Sequence, residues 1–294
     1  LLETPVHLII FILLQLCFIV QLYYLIGKYA RLSAYKTSHT LPDEAIPVSV
    51  IISARNEARN LSEFLPAVMD QEYPDFEVVL VNDCSSDGSD ILLMEMQNRY
   101  PHLKVVTVNE NERFKTGKKF ALTMGIKAAK NECLLFTDAD CKPASDKWLA
   151  LMARNFTGST EIVLGYSPYT RTGGLLNTFI RFETLKTAIN YLAAALHFDA
   201  YMGIGRNLAY TKALFFRSKG FASHMHLLSG DDDLFVNENA TATNVKIEVN
   251  KGAFTYSPAK TTFAAWYRQK KRHAGVGKIY KGRHRRMLTF DALS

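Results

Sequence analysis

The chain has few cysteines, and their spacing fits neither a metal site nor a disulfide scaffold. Its four cysteines, Cys17, Cys84, Cys133 and Cys141, include no Cys-x-x-Cys pair. Structural zinc sites and small disulfide-stabilised folds depend on regularly spaced cysteines, so the sequence indicates neither. Internal repeats and low-complexity tracts are also lacking. A length of 294 residues with 48% hydrophobic content therefore predicts one large globular domain with appendages.

Formal charge is absent from the apolar run between Val6 and Ile26. This run is long enough to cross the hydrocarbon core of a bilayer as a helix. It also lacks the basic residues that precede the apolar part of a signal peptide and the small-residue cleavage site that follows it, which disfavours a cleaved signal peptide. We therefore expect a transmembrane anchor over residues 1–32. Lys28 and Arg31 follow the run and Glu3 precedes it, so the positive-inside rule predicts an inner-membrane protein whose bulk faces the cytoplasm.

Short β-branched runs alternate with helical patterns after a polar linker at residues 33–46. The runs occupy residues 47–53, 76–81, 104–108 and 132–137. Strands that alternate with helices at this spacing predict an α/β fold with a mostly parallel, doubly wound, Rossmann-like sheet flanked by helices. We expect this domain to span residues 47–258. Within it, the apolar helical segment Leu175–Phe198 fits a core helix, a membrane-interface helix or the wall of an acceptor channel.

Most of the net charge of +7 lies in the last part of the chain, residues 259–294. Lysines and arginines there greatly outnumber the carboxylate of Asp291, and aromatic residues such as Trp266 and Tyr267 are interleaved with them. Basic, aromatic segments bind nucleic acid or anionic membranes. Because an anchored chain meets lipid headgroups first, we expect amphipathic helices at the membrane surface and no nucleic-acid partner.

Two carboxylates follow the most apolar of the predicted strands. The run Leu134-Leu-Phe-Thr137 leads into Asp138 and Asp140, which are separated by one small residue. In open α/β sheets, ligands bind beyond the carboxyl ends of the strands, so both carboxylates can face one crevice. Hard oxygen ligands of this kind suit Mg²⁺ or Mn²⁺ that holds phosphate oxygens. A solvated turn has the same local pattern, so the interpretation depends on the surrounding motifs.

Further motifs accompany this pair in a fixed order along the chain. They are Ser53-Ala-Arg-Asn-Glu57, Val81-Asn-Asp-Cys-Ser-Ser-Asp87, Gly117-Lys-Lys-Phe-Ala-Leu122, Gly203-Ile-Gly-Arg-Asn207, Ser229-Gly-Asp-Asp-Asp-Leu234 and Gln269-Lys-Lys-Arg-His273. Together they resemble the motifs of the family 2 glycosyltransferases with a GT-A fold, over roughly residues 47–273. The chain departs from the family pattern at Thr123, where an Asn is usual, at His273, which replaces Trp, and in the acidic motif, which lacks the usual Glu-Asp pair.

The resemblance implies an inverting transfer from a nucleotide-diphosphate sugar, with a UDP-sugar as the family-level expectation. It implies metal binding by Asp140 and Asp138, with Asp231 as the catalytic base and Asp232 as the alternative. The implied donor-binding residues are Ala54, Glu57, Asp83, Lys118 and Asp138, and the implied acceptor or diphosphate residues are Asn207, Gln269, Arg272 and His273. The chemistry needs such groups, because a cation neutralises the leaving diphosphate and a carboxylate deprotonates the acceptor hydroxyl.

Each group of residues also has a plainer interpretation. Asp83 and Asp87 could cap the helix that begins near Ser89. Residues 231–233 could form an ordinary acidic loop, and residues 269–273 could form a solvated basic helix. The structure must therefore show whether these segments meet at one place.

Three functions remain open for the whole chain. The main expectation is a membrane-anchored transferase that acts on a lipid or polyprenyl-linked acceptor. A processive polysaccharide synthase would need a translocation path through several membrane helices, and residues 1–294 contain one such run. A catalytically silent GT-A scaffold would bind nucleotide or partners at the membrane without turnover.

Overall fold

The computed structural model describes residues 3–37, 45–109, 117–227 and 229–293, without the side chains of residues 3, 4, 273, 274, 292 and 293. An N-terminal rod comprises helix α1 (Glu3–Leu22), a π-helical segment (Tyr23–Tyr29) and α2 (Ala30–Ser33). Among the described residues, its portion Pro5–Ser33 is the single helix long and apolar enough to cross a membrane. Only 6% of its most apolar window is buried, so the rod is not a core helix of the domain.

The rest of the chain forms nine strands and nine further α-helices in the described ranges. The strands are β1 (Val48–Ala54), β2 (Phe76–Asp83), β3 (Leu103–Val108), β4 (Cys133–Asp138), β5 (Lys142–Pro143), β6 (Ile162–Leu164), β7 (Leu208–Thr211), β8 (Val245–Ile247) and β9 (Thr255–Tyr256). The helices are α3 (Ala58–Met69), α4 (Ser89–Arg99), α5 (Lys118–Ala128), α6 (Trp148–Ala153), α7 (Leu175–Leu196), α8 (Lys212–Arg217), α9 (Asp233–Asn239), α10 (Phe263–Gly277) and α11 (Gly282–Leu293).

Seven strands form a central sheet in the order β3-β2-β1-β4-β7-β6-β8. Strand β1 pairs in parallel with β2 and β4, β2 pairs in parallel with β3, and β6 pairs in parallel with β8. Strand β7 runs antiparallel to both β4 and β6. The prediction of a mostly parallel α/β sheet is therefore confirmed. Because β1 lies between β2 and β4, Asp83 and Asp138 end the two strands that flank it.

Both faces of this sheet are covered, which explains the continuous apolar runs of its strands. Successive residues of β1 point to opposite layers. Val50 and Ile52 pack in the layer that contains Trp148 of α6, whereas Ile51 packs in the layer that contains Ile126 of α5. The sheet is thus the middle of three layers, and its polar residues concentrate where the strands end.

The N-terminal rod is attached to the domain by polar contacts near its end. The hydroxyl of Tyr24 donates to the carbonyl oxygen of Met287 at 2.9 Å. The hydroxyl of Tyr29 donates to Asn190 and, at 3.1 Å, to Oδ1 of Asp291. The amide of Asn190 donates to Oδ2 of the same Asp291 at 3.1 Å. These contacts join the rod to α7 and α11, while the apolar side chains of α1 remain exposed.

Candidate active site

A cavity of about 770 Å³ opens between the end of β4 and the helical part of the domain. Asp138 and Asp140 line it on the side of β4, and the segment 231–233 forms a neighbouring part of its wall. Helices α7 and α10 complete the enclosure through residues such as Tyr191 and Gln269. The volume lies within the range of known ligand sites, so the cavity can take a substrate of nucleotide or sugar size.

Lys118, the first residue of α5, connects the two sides of this cavity. Its Nζ lies 2.9 Å from Oδ1 of Asp138 and 3.2 Å from Oδ2 of Asp231. Burial opposes the charged form of Asp138, but Lys118, Arg206 and Arg272 outweigh it and lower the pKa of this carboxyl. Burial likewise opposes the charge of Lys118, but Asp138 and Asp231 raise its pKa. Asp138 and Lys118 are therefore both charged at neutral pH.

Asp140 has a different environment from Asp138. Burial, together with the neighbouring charge of Asp138, raises the pKa of the Asp140 carboxyl, although Arg206 and Lys260 act in the opposite direction. Burial also raises the pKa of Glu57, and the charges of Asp140 and Asp138 add to this effect. A divalent cation between Asp138 and Asp140 would relieve this repulsion between like charges.

The donor set at Asp138 and Asp140 fits a substrate-assisted metal site. Among the described residues, no group of three or more His, Cys, Asp or Glu side chains is placed to hold a metal ion. Mg²⁺ and similar cations are often held by one or two carboxylates, with substrate phosphates and water as the other ligands. Two carboxylates beside a cavity of this size match that arrangement.

Asp83 and Asp87 have separate roles at the end of β2. Oδ2 of Asp87 accepts a hydrogen bond of 2.9 Å from the Ala58 amide, and its Oδ1 accepts from both the amide and the hydroxyl of Ser89. The helix-capping interpretation therefore applies to Asp87. Asp83 is 3% exposed, and its buried Oδ1 has no hydrogen-bond partner. Because such an oxygen is costly to leave unpaired, Asp83 suits a hydrogen bond from a ligand.

The acidic segment is an ordered part of the wall and not a solvated loop. Gly230, at φ +99°, lets the chain turn directly before Asp231. Oδ2 of Asp232 accepts the Gly205 amide at 2.7 Å, and its Oδ1 accepts the Asp233 amide at 2.8 Å. Oδ2 of Asp233 accepts the hydroxyl of Tyr280 at 2.8 Å. Asp231 differs, because it forms an ion pair of 3.2 Å with Lys118.

The crowding of these carboxyl groups shifts their titration. Burial, followed by the charges of Asp231 and Asp233, raises the pKa of Asp232 to about 7, although Lys118 opposes the shift. Burial also raises the pKa of Asp233, against the hydrogen bond from Tyr280. Asp232 can therefore exchange a proton near neutral pH, where acid–base catalysis is most effective.

Lys119 holds the chain that leads into the acidic segment. Its Nζ donates to the carbonyl oxygens of His224 at 2.6 Å, Leu227 at 3.2 Å and Ser229 at 2.7 Å. Lys119 is 5% exposed. Adjacent lysines at the start of α5 thus do different things, since Lys118 faces the cavity and Lys119 positions the backbone before Asp231.

Helix α10 covers the cavity with the motif Gln269–His273. This motif resembles the family's QxxRW motif, with His273 in place of Trp. Nε2 of Gln269 donates to the hydroxyl of Tyr169 at 3.4 Å. Arg272 lines the cavity, and its carbonyl oxygen accepts the hydroxyl of Ser229 at 3.3 Å. The side chain of His273 lies outside the described residues. The exposed basic helix expected from this sequence therefore has one side over the cavity.

Asn207 lies beneath the cavity and not on its surface. It is fully buried, and Oδ1 of its amide accepts from Nε1 of Trp148 at 3.0 Å. Its Nδ2 donates to the carbonyl oxygens of Tyr166 at 2.9 Å and Ala253 at 2.8 Å. Asn207 therefore fixes the backbone of the turn that carries Gly205 and its contact with Asp232.

The structure brings most of the predicted site residues to one place. The cavity is lined by Lys118, Asp138, Asp140, Asp231, Asp232, Gln269 and Arg272. Ala54 and Asp83 are the last residues of β1 and β2, Glu57 follows β1, and none of the three is among the residues that line the cavity. Lys119, Arg206 and Tyr280 also belong to this site, although the motifs gave them no role. Their contacts join residues far apart in the chain, so no local pattern reveals them.

The comparison with known families identifies the chain. A model of Glycosyl transferase family 2 matches residues 49–218. The chain belongs to this family. This is the family that the motif order predicts, and the match begins within β1 and ends after β7.

Three curated relatives match over limited segments. Glycosyltransferase AglE of Haloferax volcanii is 32% identical over 130 residues, covering 43% of this chain and 41% of AglE. Poly-beta-1,6-N-acetyl-D-glucosamine synthase of Staphylococcus epidermidis is 28% identical, covering 41% of this chain and 28% of the synthase. TuaG of Bacillus subtilis, named a putative teichuronic acid biosynthesis glycosyltransferase, is 29% identical, covering 45% and 52%. The matches thus span about half of these relatives or less.

Solved structures confirm the GT-A type of fold. The mannosyltransferase PcManGT from Pyrobaculum calidifontis, in complex with GDP-Man and Mn²⁺, superposes with a TM-score of 0.62 at 22% identity, covering 87% of this chain and 70% of PcManGT. S. aureus TarS 1–349, in complex with UDP-GlcNAc, superposes with a TM-score of 0.52 at 20% identity, covering 74% and 60%. Identities this low show a shared fold.

Proposed function

We propose that this chain is a metal-dependent, inverting glycosyltransferase that moves a sugar from a nucleotide-diphosphate sugar to a lipid or polyprenyl-linked hydroxyl. The reaction takes place at the cytoplasmic face of the inner membrane. One observation carries the proposal: Lys118 bridges Asp138, at the end of β4, and Asp231, in the acidic segment that lines the same cavity. The groups that bind the donor and the group that activates the acceptor therefore share one space.

The donor lies along the ends of β1, β2 and β4 in this mechanism. The buried Oδ1 of Asp83 accepts a hydrogen bond from the base or ribose, and Glu57 and the backbone near Ala54 border the same site. Asp138 and Asp140 would hold Mg²⁺ or Mn²⁺, which would supply the positive charge that neutralises the leaving diphosphate. Lys118 and Arg272 add positive charge on the same side. The structural neighbours with GDP-Man and Mn²⁺ and with UDP-GlcNAc support this class of donor and cation.

Asp231 is the base that takes the proton from the acceptor hydroxyl. Asp232 and Asp233 each accept hydrogen bonds from within the wall, through Gly205 and Tyr280 respectively. All three line the cavity, and Asp231 differs in its ion pair with Lys118. A carboxylate opposite the leaving group gives direct displacement with inversion, so an α-linked donor yields a β-linked product. Asp232, with its pKa raised to about 7, is the alternative base.

The membrane acceptor is supported by the helices around the cavity. Helix α7 lines the cavity through Thr187 and Tyr191, yet it also exposes Phe182 at 65%. Helix α10 lines it through Gln269 and exposes Phe263 at 63%. Apolar and basic side chains on one helix suit a membrane interface. A lipid-linked hydroxyl at that interface can enter between these helices.

The test is sugar transfer by the full chain in detergent. A panel of UDP- and GDP-sugars is assayed with Mn²⁺, Mg²⁺ or EDTA, using polyprenyl-linked and soluble acceptors. We expect cation-dependent release of one nucleoside diphosphate with a lipid acceptor, and its loss in Asp140→Ala. Asp146→Ala is the matched control, because this exposed carboxylate lies a few residues along the same chain segment. Efficient transfer to soluble sugars without lipid turnover would overturn the acceptor proposal.

A processive polysaccharide synthase is the second candidate, because the relative in Staphylococcus epidermidis is named a poly-beta-1,6-N-acetyl-D-glucosamine synthase. His273 in place of Trp weakens the link to processive synthesis. The length of the product separates the two functions. A single added sugar supports the first proposal, and a polymer that lengthens with time supports the second.

A further inference from the structure

Arg206 is a buried cation in the cavity that the proposed mechanism does not use. It lies in the short turn Gly205–Asn207 before β7, is 9% exposed and lines the cavity. Its Nη2 donates to the carbonyl oxygen of Ser167 at 3.1 Å. Its guanidinium lies over the ring of Tyr169, 4.3 Å from the centroid. The side chain is therefore fixed in one orientation.

The second terminal nitrogen of Arg206 lacks a hydrogen-bond partner among the described residues. Nη1 is buried, and no donor or acceptor contact satisfies it. Arginine stays charged under all ordinary conditions, so this N–H cannot be neutralised by losing a proton. A buried, unsatisfied, charged donor is costly. A ligand that supplies the missing hydrogen-bond acceptor would remove this energetic cost.

Arg206 lines the same cavity as the carboxylates Asp138 and Asp140 and the acidic segment 231–233. The preceding residue, Gly205, donates its amide to Asp232 of this segment at 2.7 Å. An anion in this cavity can therefore meet Arg206 together with the carboxylates and the acidic segment that line it.

Tyr169 links Arg206 to the helix that covers the cavity. The ring of Tyr169 supports the guanidinium, and its hydroxyl accepts Nε2 of Gln269 at 3.4 Å. Arg272 lies one turn further along the same helix and also lines the cavity. Arg206 and Arg272 can therefore approach one anion from the turn before β7 and from α10.

We propose that Arg206 binds an anionic oxygen of the substrate through its free Nη1. The inference rests on the proposed function and adds a residue that selects for charge. The ligand group is a phosphate or carboxylate oxygen, for which guanidinium donors are well suited. Two parts of the substrate can supply it: the diphosphate of the donor, or an acidic group next to the acceptor hydroxyl. A lysine would keep the charge but lose the stacking and the fixed donor direction.

Nucleotide-binding measurements show whether the anionic oxygen comes from the donor diphosphate. Arg206→Gln, Arg206→Lys and wild type are titrated with UDP, GDP and the corresponding nucleosides, with Mn²⁺ and with EDTA. Arg217→Gln is the matched control, because this exposed arginine pairs with Glu161 away from the cavity. If the donor diphosphate is the ligand, the glutamine variant binds the nucleoside diphosphate about 10- to 100-fold more weakly and binds the nucleoside unchanged. The lysine variant recovers part of the loss.

Acceptor kinetics report the second source. If an acidic acceptor group is the ligand, Arg206→Gln binds nucleotide as wild type does. Its KM for a polyprenyl-phosphate acceptor then rises about tenfold or more, while transfer to an uncharged acceptor is unchanged. Either pattern supports the proposal, and thermal unfolding of each variant confirms that the fold is intact.

The proposal is overturned if Arg206→Gln matches wild type in both assays. It is also overturned if the variant loses nucleoside and diphosphate binding equally, since that would indicate a structural role. Wild-type protein that binds no nucleoside diphosphate and transfers no sugar would contradict the proposed function itself. If wild type binds nucleotide and transfers sugar, and Arg206→Gln does both equally well, only the role of Arg206 is contradicted.

Discussion

The donor side and the acceptor side of the cavity are built in different ways. On the donor side, Asp83 and Asp138 end the two parallel strands β2 and β4 that flank β1, so the register of the sheet brings them to the same edge. On the acceptor side, Asp231 is placed by contacts between distant segments, including the hydrogen bonds from Lys119 and the anchoring of Asp233 by Tyr280. The first arrangement follows from the fold. The second depends on a few polar side chains.

Lys118 is where the two sides meet. It begins α5 on the donor side and reaches Asp231 on the acceptor side. We therefore expect substitutions near the strand ends to weaken donor binding. Substitutions near the acidic segment should instead slow sugar transfer or destabilise the segment itself. The following variants test this difference, beginning with the largest expected effect.

Asp231→Asn should lower kcat by a factor of about 10²–10⁴, because it removes the general base. Asp232→Asn should lower it less, since Asp232 is engaged by the amides of Gly205 and Asp233. Single-turnover kinetics with saturating donor measure both effects. The reverse order would identify Asp232 as the base.

Lys118→Met should lower kcat/KM by about 10- to 100-fold, because Asp138 and Asp231 each lose a charged partner. Lys127→Met, an exposed change on the same helix, is the control and should leave activity unchanged. Steady-state kinetics at saturating Mn²⁺ measure the difference. Equal activity of the two variants would show that the bridge does not join the two sides functionally.

Lys119→Met should lower the free energy of unfolding by about 2 kcal/mol, because buried carbonyl oxygens lose a charged donor. Activity should fall as well, since the chain before Asp231 is no longer held. Denaturant unfolding in detergent measures the first effect. Unchanged stability would show that the acceptor side does not depend on Lys119.

The pH dependence of stability should show the crowding of the acidic segment. With a pKa raised to about 7, Asp232 in the folded protein holds a proton that the unfolded chain has released above about pH 4. The folded state therefore binds more protons, and its stability falls as pH rises through 7.

Asp232→Asn removes this titration. Its unfolding free energy should fall less than that of wild type between pH 5 and pH 8, by on the order of 2 kcal/mol. Denaturant unfolding in EDTA at several pH values measures both slopes. Parallel slopes for the two proteins would show that Asp232 titrates normally.

The sequence predicts the donor side better than the acceptor side for a physical reason. Strand β4 and its carboxylates, Asp138 and Asp140, lie next to one another in the chain, so periodicity and position are enough to predict them. Strand β7 is four residues long and antiparallel. Its short run carries no comparable local signal, and the sequence did not reveal it.

Adjacent residues in one motif show most clearly what cannot be predicted from the sequence. Lys118 and Lys119 are chemically identical, and only the fold determines that one faces the cavity and the other holds carbonyl oxygens more than 100 residues away. In the same way, Asn207 and Arg206 share a turn, yet the asparagine is buried beneath the site and the arginine lines it. Motif matching locates such segments but does not say which way each side chain points.

Binding and turnover measured separately in Asp140→Asn and Asp231→Asn test the difference between the two sides most directly. We expect Asp140→Asn to lose Mn²⁺-dependent binding of the nucleoside diphosphate, and Asp231→Asn to bind it as wild type does but to transfer no sugar. Normal turnover in Asp231→Asn, or wild-type Mn²⁺-dependent binding in Asp140→Asn, would contradict the assignment of donor binding to one side of the cavity and acceptor activation to the other.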